Sequence, residues 1–265
     1  GGSPASYTVA NGKVGSLTDT DVMKISVLDV DDAPVLTAGA KALYTENGAG
    51  VALDGTVTVS DVDSPKMQGA KVWISAGFEA TDLLEFGSFS NITGSYDAVT
   101  GVLTLSNSAT LAQYQTVLRS VTYTNNSNTP DTATRTIEFQ VNDGQPVDNL
   151  STVASRTVTV AAANDAPSVT AGGTLSYTEN AAASVICATA TVSDVDSTNF
   201  NGGSVTVSFT ANGTAADQLA VRNEGTSAGQ IGVSGANISY GGTVIGTYAG
   251  GSNGTDLVIS LTSAS

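Results

Sequence analysis

The chain has 265 residues, enough for about two domains of ordinary size that can each bury a core. Lys plus Arg number 9 against 24 Asp plus Glu, and the net charge of −15 repels phosphate backbones and anionic membranes while attracting divalent cations. Histidine is absent and Cys187 is the one cysteine, so imidazole bases, imidazole metal ligands, Ser/Cys–His dyads and an internal disulfide are all excluded.

Taken in chain order, the first predicted element is a hairpin within residues 1–31. Tyr7-Thr-Val-Ala-Asn-Gly12, running on to Asp32-Ala-Pro34, parallels Phe139-Gln-Val-Asn-Asp-Gly144, running on to Asp165-Ala-Pro167, at nearly equal length. Short alternating runs follow at residues 55–60, 71–75, 102–105, 136–141, 157–160, 204–209 and 257–261, with turn residues between them. Such runs at short intervals predict an all-β sandwich rather than parallel α/β units. One segment departs from this pattern. Leu111, Tyr114 and Leu118 fall at helical spacing within residues 108–119, behind a Ser/Thr start, which predicts one short helix crossing between strands. No apolar run approaches the ~18 residues that a membrane span requires. Trp73 and Tyr96 are read as core residues rather than a sugar-stacking face, and Cys187, beside Val185 and Ile186, as a buried or inert thiol.

A tandem repeat organises these elements. Asp32-Ala33-Pro34, Tyr44-Thr45-Glu46-Asn47 and Ser60-Asp61-Val62-Asp63-Ser64 return as Asp165-Ala166-Pro167, Tyr177-Thr178-Glu179-Asn180 and Ser193-Asp194-Val195-Asp196-Ser197, each offset by 133 residues. The proline of each Asp-Ala-Pro suits a strand-entry linker. Residues 32–164 therefore read as one complete repeat. Residues 165–265 read as the N-terminal part of another that stops at Leu257-Val-Ile-Ser-Leu261, similar to Val102-Leu-Thr-Leu-Ser106, before the helix and last strands. Residues 1–31 read as the closing hairpin of a preceding repeat. The expectation is a piece of a longer array; the competing expectation is that partial ends of separate molecules complete one another by strand exchange into a homo-polymer.

Acidic residues recur in three places: Asp29, Asp31 and Asp32 at one linker with Asn164 and Asp165 at the other; the pairs Asp61/Asp63 and Asp194/Asp196; and Glu46 with its repeat Glu179. In an extended chain residues i and i+2 point the same way, so each Asp-Val-Asp presents two carboxylates to one site. Asp and Asn also build turns, which is the plainer reading of a single such motif. Carboxylates gathered within about 5 Å repel unless neutralised, and calcium takes about six to eight oxygen ligands. The doubled motif with its linker acids is therefore read as a calcium site. No EF-hand loop and no Gly-rich phosphate loop occurs, and Gly250-Gly251-Ser-Asn-Gly254-Thr-Asp256 reads as a hairpin loop. A glycosidase carboxylate pair duplicated in each repeat is set aside, so the chain is not expected to be an enzyme.

These residues resemble a known family. Asp29–Pro34 and Asn164–Pro167 are similar to the cadherin linker Asp-x-Asn-Asp-x-x-Pro, and the Asp-Val-Asp that follows is similar to the family's Asp-x-Asp. The pattern as a whole resembles the cadherin-like repeats of very large bacterial surface adhesins, RTX-type proteins among them. The resemblance implies tandem Ig-like, cadherin-like Greek-key sandwiches with one crossover helix per repeat, on a secreted or surface-attached bacterial protein. It further implies Ca2+ held at the first junction by Asp29, Asp31, Asp32, Asp61 and Asp63, and at the second by Glu46, Asn164, Asp165, Asp194 and Asp196. Ala161-Ala162-Ala163 before Asn164 loses the acid equivalent to Asp29, so a weaker second site is expected. Asp143, in Asn142-Asp143-Gly144, is a weaker candidate because that tripeptide is an ordinary hairpin turn. The expected role is mechanical and adhesive, in a calcium-stiffened rod whose partners are neighbouring repeats. The alternatives are a polysaccharide-binding module, with a cell-surface glycan as partner, and a filament or surface-layer subunit.

Overall fold

The computed structural model describes residues 6–10, 20–28, 30–39 and 41–263, and the chain divides into two compact units, Gly1–Ala163 and Asn164–Ser265. The first opens with β1 (Ser6–Ala10) and β2 (Thr20–Lys24), an antiparallel pair. It continues through β3 (Val35–Thr37), β4 (Ala42–Thr45), β5 (Val51–Ala52), β6 (Thr58–Ser60) and the long β7 (Lys66–Ala76). Next come β8 (Asp82–Glu85), β9 (Thr93–Asp97), β10 (Val102–Thr110), α1 (Leu111–Arg119) and β11 (Thr122–Asn125). The closing strands are β12 (Arg135–Asn142) and β13 (Ala154–Ala161).

Alternation sets which faces are buried. Along β12, Arg135, Ile137, Phe139 and Val141 point inward while the residues between them are half-exposed. A six-stranded sheet in the order β4-β13-β12-β7-β10-β9 packs across the core from a three-stranded sheet, β5-β11-β8, and the pair β3-β6. The pairings are antiparallel except that of β13 with β4. Tyr44 of β4 and Tyr123 of β11 meet edge to face at 5.4 Å and 85°, and the Tyr44 hydroxyl donates to the Asn125 carbonyl at 2.8 Å. An aromatic pair of this geometry contributes about 1 kcal/mol beyond its burial.

The helix lies where its spacing predicts, with Tyr114, Val117 and Leu118 buried, but it starts at Leu111 rather than 108. A bulge in β10 between Ser106 and Ala109 carries the strand on to Thr110, and Asn107 turns there at φ 86. Thr110 then caps α1 reciprocally. Its Oγ1 accepts from the Gln113 amide at 3.3 Å, and its own amide donates to Gln113 Oε1 at 3.0 Å. The Arg119 Nε donates to the Val57 carbonyl at 2.8 Å, fastening the far end beside β6.

The second unit contains β14 (Ser168–Thr170), β15 (Thr191–Ser193), β16 (Ser204–Val207), β17 (Ile231–Ser234), β18 (Asn237–Tyr240), β19 (Thr243–Gly250) and β20 (Leu257–Leu261). The pair β14-β15 repeats β3-β6 in the same register, with Val169 opposite Val192 as Leu36 is opposite Val59. The sheet β16-β20-β19-β18-β17 begins from the counterpart of β7, and residues 251–256 form the predicted hairpin loop. Val258 pairs with Thr206 as Val102 pairs with Trp73, which moves the sequence match of β20 to β10 by one residue.

Among the described residues of this unit there is no helix and no counterpart of β11, β12 or β13. The physical consequence is local. Residues 175–178 and 184–185, the repeats of β4 and β5, form no strand, because β4 pairs with β13 and β5 with β11. Cys187 is half-exposed, not buried, with Ile186 and Val185 open beside it. The apolar pair misleads as a burial signal because no described residue of this unit covers it.

Candidate metal centre

Linker, Asp-Val-Asp turn and the β12–β13 connection meet in the first unit. The Asp32 amide donates to Asp63 Oδ2 at 3.0 Å, tying the linker to the turn. The Asp63 and Ser64 amides both donate to Asp61 Oδ1, at 3.1 and 2.9 Å. Asp143 follows β12, and its Oδ1 accepts from the Gln145 amide at 3.0 Å. Gln145 Nε2 in turn reaches Ser64 Oγ at 3.5 Å, which brings the connection against the turn.

Backbone amides thus hold one oxygen of Asp61, Asp63 and Asp143. The other is enclosed and has no hydrogen-bond partner: Asp61 Oδ2, Asp63 Oδ1 and Asp143 Oδ2, together with Asp31 Oδ2. Asp143 is only 5% exposed, so its free oxygen is well removed from water. Such a group costs about 1–3 kcal/mol, more when charged, unless something compensates it. Burial raises the Asp31 carboxyl above its ordinary range, and the negative charges of Asp143, Asp63, Asp61 and Asp148 raise it further. Burial also raises Asp61, whereas the Asp61 side chain holds Asp63 below the usual range, so the two share a proton more readily than isolated acids do.

The donor set suits a hard cation: oxygen throughout, several carboxylates, and no nitrogen or sulfur. Among the described residues no three acidic side chains are already arranged as an ion cage. Unneutralised carboxylates repel, and here one oxygen of each of Asp61, Asp63 and Asp143 is held by the backbone.

Asp29 lies outside the described residues. Asp31, Asp61 and Asp63 are brought together, and Asp32 takes part through its backbone amide. Asp143 belongs with them and Asp148 lies close, although sequence reasoning held Asp143 a weaker candidate and passed over Asp148. The tripeptide Asn142-Asp143-Gly144 is no two-residue hairpin: an eleven-residue connection separates β12 from β13, and Asn142 bridges Leu150 across it. That connection's length and its second acid were the available signal. Glu46 is buried at the end of β4, where its Oε2 accepts from the Ala163 amide at 2.8 Å and Oε1 has no partner.

The second unit repeats the turn geometry. The Asp165 amide donates to Asp196 Oδ2 at 2.8 Å, and the Asp196 and Ser197 amides donate to Asp194 Oδ1 at 3.2 and 2.9 Å. The Asp196 side chain holds Asp194 below its ordinary pKa. Asn164, in the place of Asp31, donates to the neighbouring Asp165 carbonyl at 2.6 Å. The described residues of this unit contain no counterpart of Asp143.

Two further polar clusters in the first unit went unread in the sequence. Arg135, wholly buried, pairs with Glu79 at 2.7 Å and Asp82 at 3.2 Å, and Tyr123 and Asn125 donate to Asp82 Oδ1 at 2.5 and 2.7 Å. Arg156 pairs with buried Asp54 at 3.3 Å. The Arg135 set is internally compensated, whereas buried Arg156 has the charge of Asp54 beside it but no hydrogen-bond partner for Nε or Nη1; both sets read as structural.

Fold and acidic turns define a class: an all-β protein of tandem repeats with carboxylate clusters where each repeat begins. Among curated proteins the chain is similar to Halomucin of Haloquadratum walsbyi, 38% identical over 116 residues. That stretch covers 42% of this chain and 1% of the relative, so the chain corresponds to a very small part of that long protein. No protein-family profile matches the chain. No described helix is long and apolar enough to cross a membrane.

Proposed function

We propose that the chain is a non-enzymatic, calcium-stiffened stretch of a large extracellular surface protein. The observation that carries this reading is the set of enclosed carboxylate oxygens without partners on Asp31, Asp61, Asp63 and Asp143. Ca2+ would supply the positive charge that these oxygens lack, with Asp31, Asp61, Asp63 and Asp143 as its principal holders. Binding would join the Asp31–Pro34 linker, the Asp61–Ser64 turn and the β12–β13 connection, which lie far apart in sequence. Asp165, Asp194 and Asp196 would make a weaker site in the second unit, where Asn164 stands in the place of Asp31. The likeness to a protein named as a mucin supports an extracellular setting, and the net charge of −15 suits a cation-rich one. Stiffening of this kind serves a projecting or adhesive rod.

The test is calcium titration followed by calorimetry and thermal melting. Calcium should raise the melting temperature of the first unit, chelator should reverse the rise, and Asp143→Asn should remove most of it. A melting curve indifferent to calcium and to chelator would refute the reading.

A further inference from the structure

Trp73, the chain's one tryptophan, lies outside the core that its sequence setting predicts for it. Along β7, Ala70, Val72 and Ile74 point inward, so Lys71 and Trp73 stand on the outer face of the six-stranded sheet, Lys71 exposed and Trp73 half-exposed. Tyr96, by contrast, packs against the core as expected, and its hydroxyl donates to the Asp82 carbonyl at 2.8 Å.

Strand register sets this outer face in three rows. Trp73 stands between Glu138 and Val102, Lys71 between Gln140 and Thr104, and Gly69 between Asn142 and Ser106. With no side chain at Gly69, the third row has a hollow at its centre. The β12–β13 connection walls one side of it. There Gly144 turns at φ 87 so close to Gln68 that a Cβ would collide with that side chain, and Asn149 and Leu150 stand beside it. The result is a groove of about 520 Å³, within the size range of small-molecule sites. Trp73 stands one row beyond it, about 7 Å along the strand from Lys71.

The polar groups of the groove keep hydrogen-bonding capacity to spare. Gln140 Nε2 donates to the Ser151 carbonyl at 3.0 Å, which leaves Oε1 to accept. Asn142 Oδ1 accepts from the Gly144 amide at 2.6 Å, which leaves the side-chain NH2 to donate. Among the described residues no acid pairs with Lys71. Thr104 and Ser106 add hydroxyls, and Leu150 adds an apolar wall. Such a lining, with a tryptophan adjoining, matches a ring that carries hydroxyls at its rim and C–H groups on its faces. Two other occupants fit worse. β7, β10 and β12 are each paired on both sides, so the face offers an extended peptide no free strand edge. The net charge of −15, with Asp143 and Asp148 in the connection that forms the wall, opposes a polyanion.

We propose that the outer face of this sheet binds a neutral polysaccharide, with sugar hydroxyls held by Lys71, Gln140 and Asn142 and one pyranose ring stacked on Trp73. The groove uses none of the enclosed carboxylate oxygens, so this binding stands apart from the calcium reading.

Because Trp73 is the only tryptophan, its fluorescence reports on this face. Linear hexaoses of glucose, mannose and galactose, titrated into the full chain, should produce a saturable change in that fluorescence with at least one of the three. Lys71→Ala combined with Gln140→Ala should weaken the affinity at least about tenfold while the chain still melts cooperatively. By calorimetry, Trp73→Phe should retain more of the binding than Trp73→Ala. A flat fluorescence response to all three sugars overturns the proposal. So does a Lys71/Gln140 double variant that binds like the parent, since the sugar would then sit elsewhere, and so does tighter binding of polygalacturonate than of any neutral hexaose.

Discussion

Asp54 accepts hydrogen bonds from Thr56 and from the Gly39 amide and pairs with Arg156, and these outweigh the burial that would raise its carboxyl, taking it from 3.8 to about 2. Because the folded carboxyl is the stronger acid, the unfolded chain takes up the proton first as pH falls. The contribution of the ionised Asp54 carboxylate, with its hydrogen bonds and its pairing to Arg156, about 2 kcal/mol, is therefore complete above the ordinary carboxylate pKa and is lost as pH falls towards about 2. Asp54→Asn leaves Arg156 buried without a counter-charge and should cost about 3 kcal/mol in urea unfolding at neutral pH, with the difference from the parent shrinking in acid. A constant difference across that range would contradict the assignment. At this scale the sequence showed which acids repeat, and the offset alone related Asp61 to Asp194 and Asp63 to Asp196. It did not show Asp143 joining Asp31, Asp61 and Asp63, or Arg135 and Arg156 finding their acids. Those meetings depend on how distant strands pair, and no local pattern encodes that pairing.

Helix α1 shows how elements carry the repeat. A helix of nine residues is too short to persist by itself in water. The cap at Thr110 and the buried face of Tyr114, Val117 and Leu118 sustain it. Thr110→Ala removes the acceptor for the Gln113 amide and should cost about 1 kcal/mol. Circular dichroism through a urea titration measures it; an unchanged midpoint would mean that packing alone fixes the helix start. The strand runs and this helix were legible because alternation and i, i+3, i+4 spacing are local signals. The bulge at Ser106–Ala109 was not, since Asn107 in the left-handed region depends on the β10–β7 pairing and on the Tyr114 hydroxyl donating to its carbonyl at 2.6 Å. Nor was the absence of strands at 175–178 and 184–185: Tyr177-Thr-Glu-Asn180 copies Tyr44-Thr-Glu-Asn47, yet no described residue of the second unit pairs with it as β13 and β11 pair with β4 and β5.

On the scale of the whole molecule, one sequence motif folded in two settings gives an internal control on what a strand owes to its neighbours. Residues 42–52 are pinned by β13 and β11, and Tyr44 and Leu53 are buried among the core residues. Residues 175–185 share the Tyr-Thr-Glu-Asn tetrapeptide with them, and Tyr177 and Ile186 face solvent. Local opening free energy follows buried contacts and paired amides, so the two copies should differ greatly in amide exchange although they share the Tyr-Thr-Glu-Asn tetrapeptide. Amides of residues 42–45 should exchange only with global unfolding of the first unit, and those of 175–178 at nearly unprotected rates at low protein concentration. Strong protection of 175–178 would mean that this stretch finds partners within its own unit.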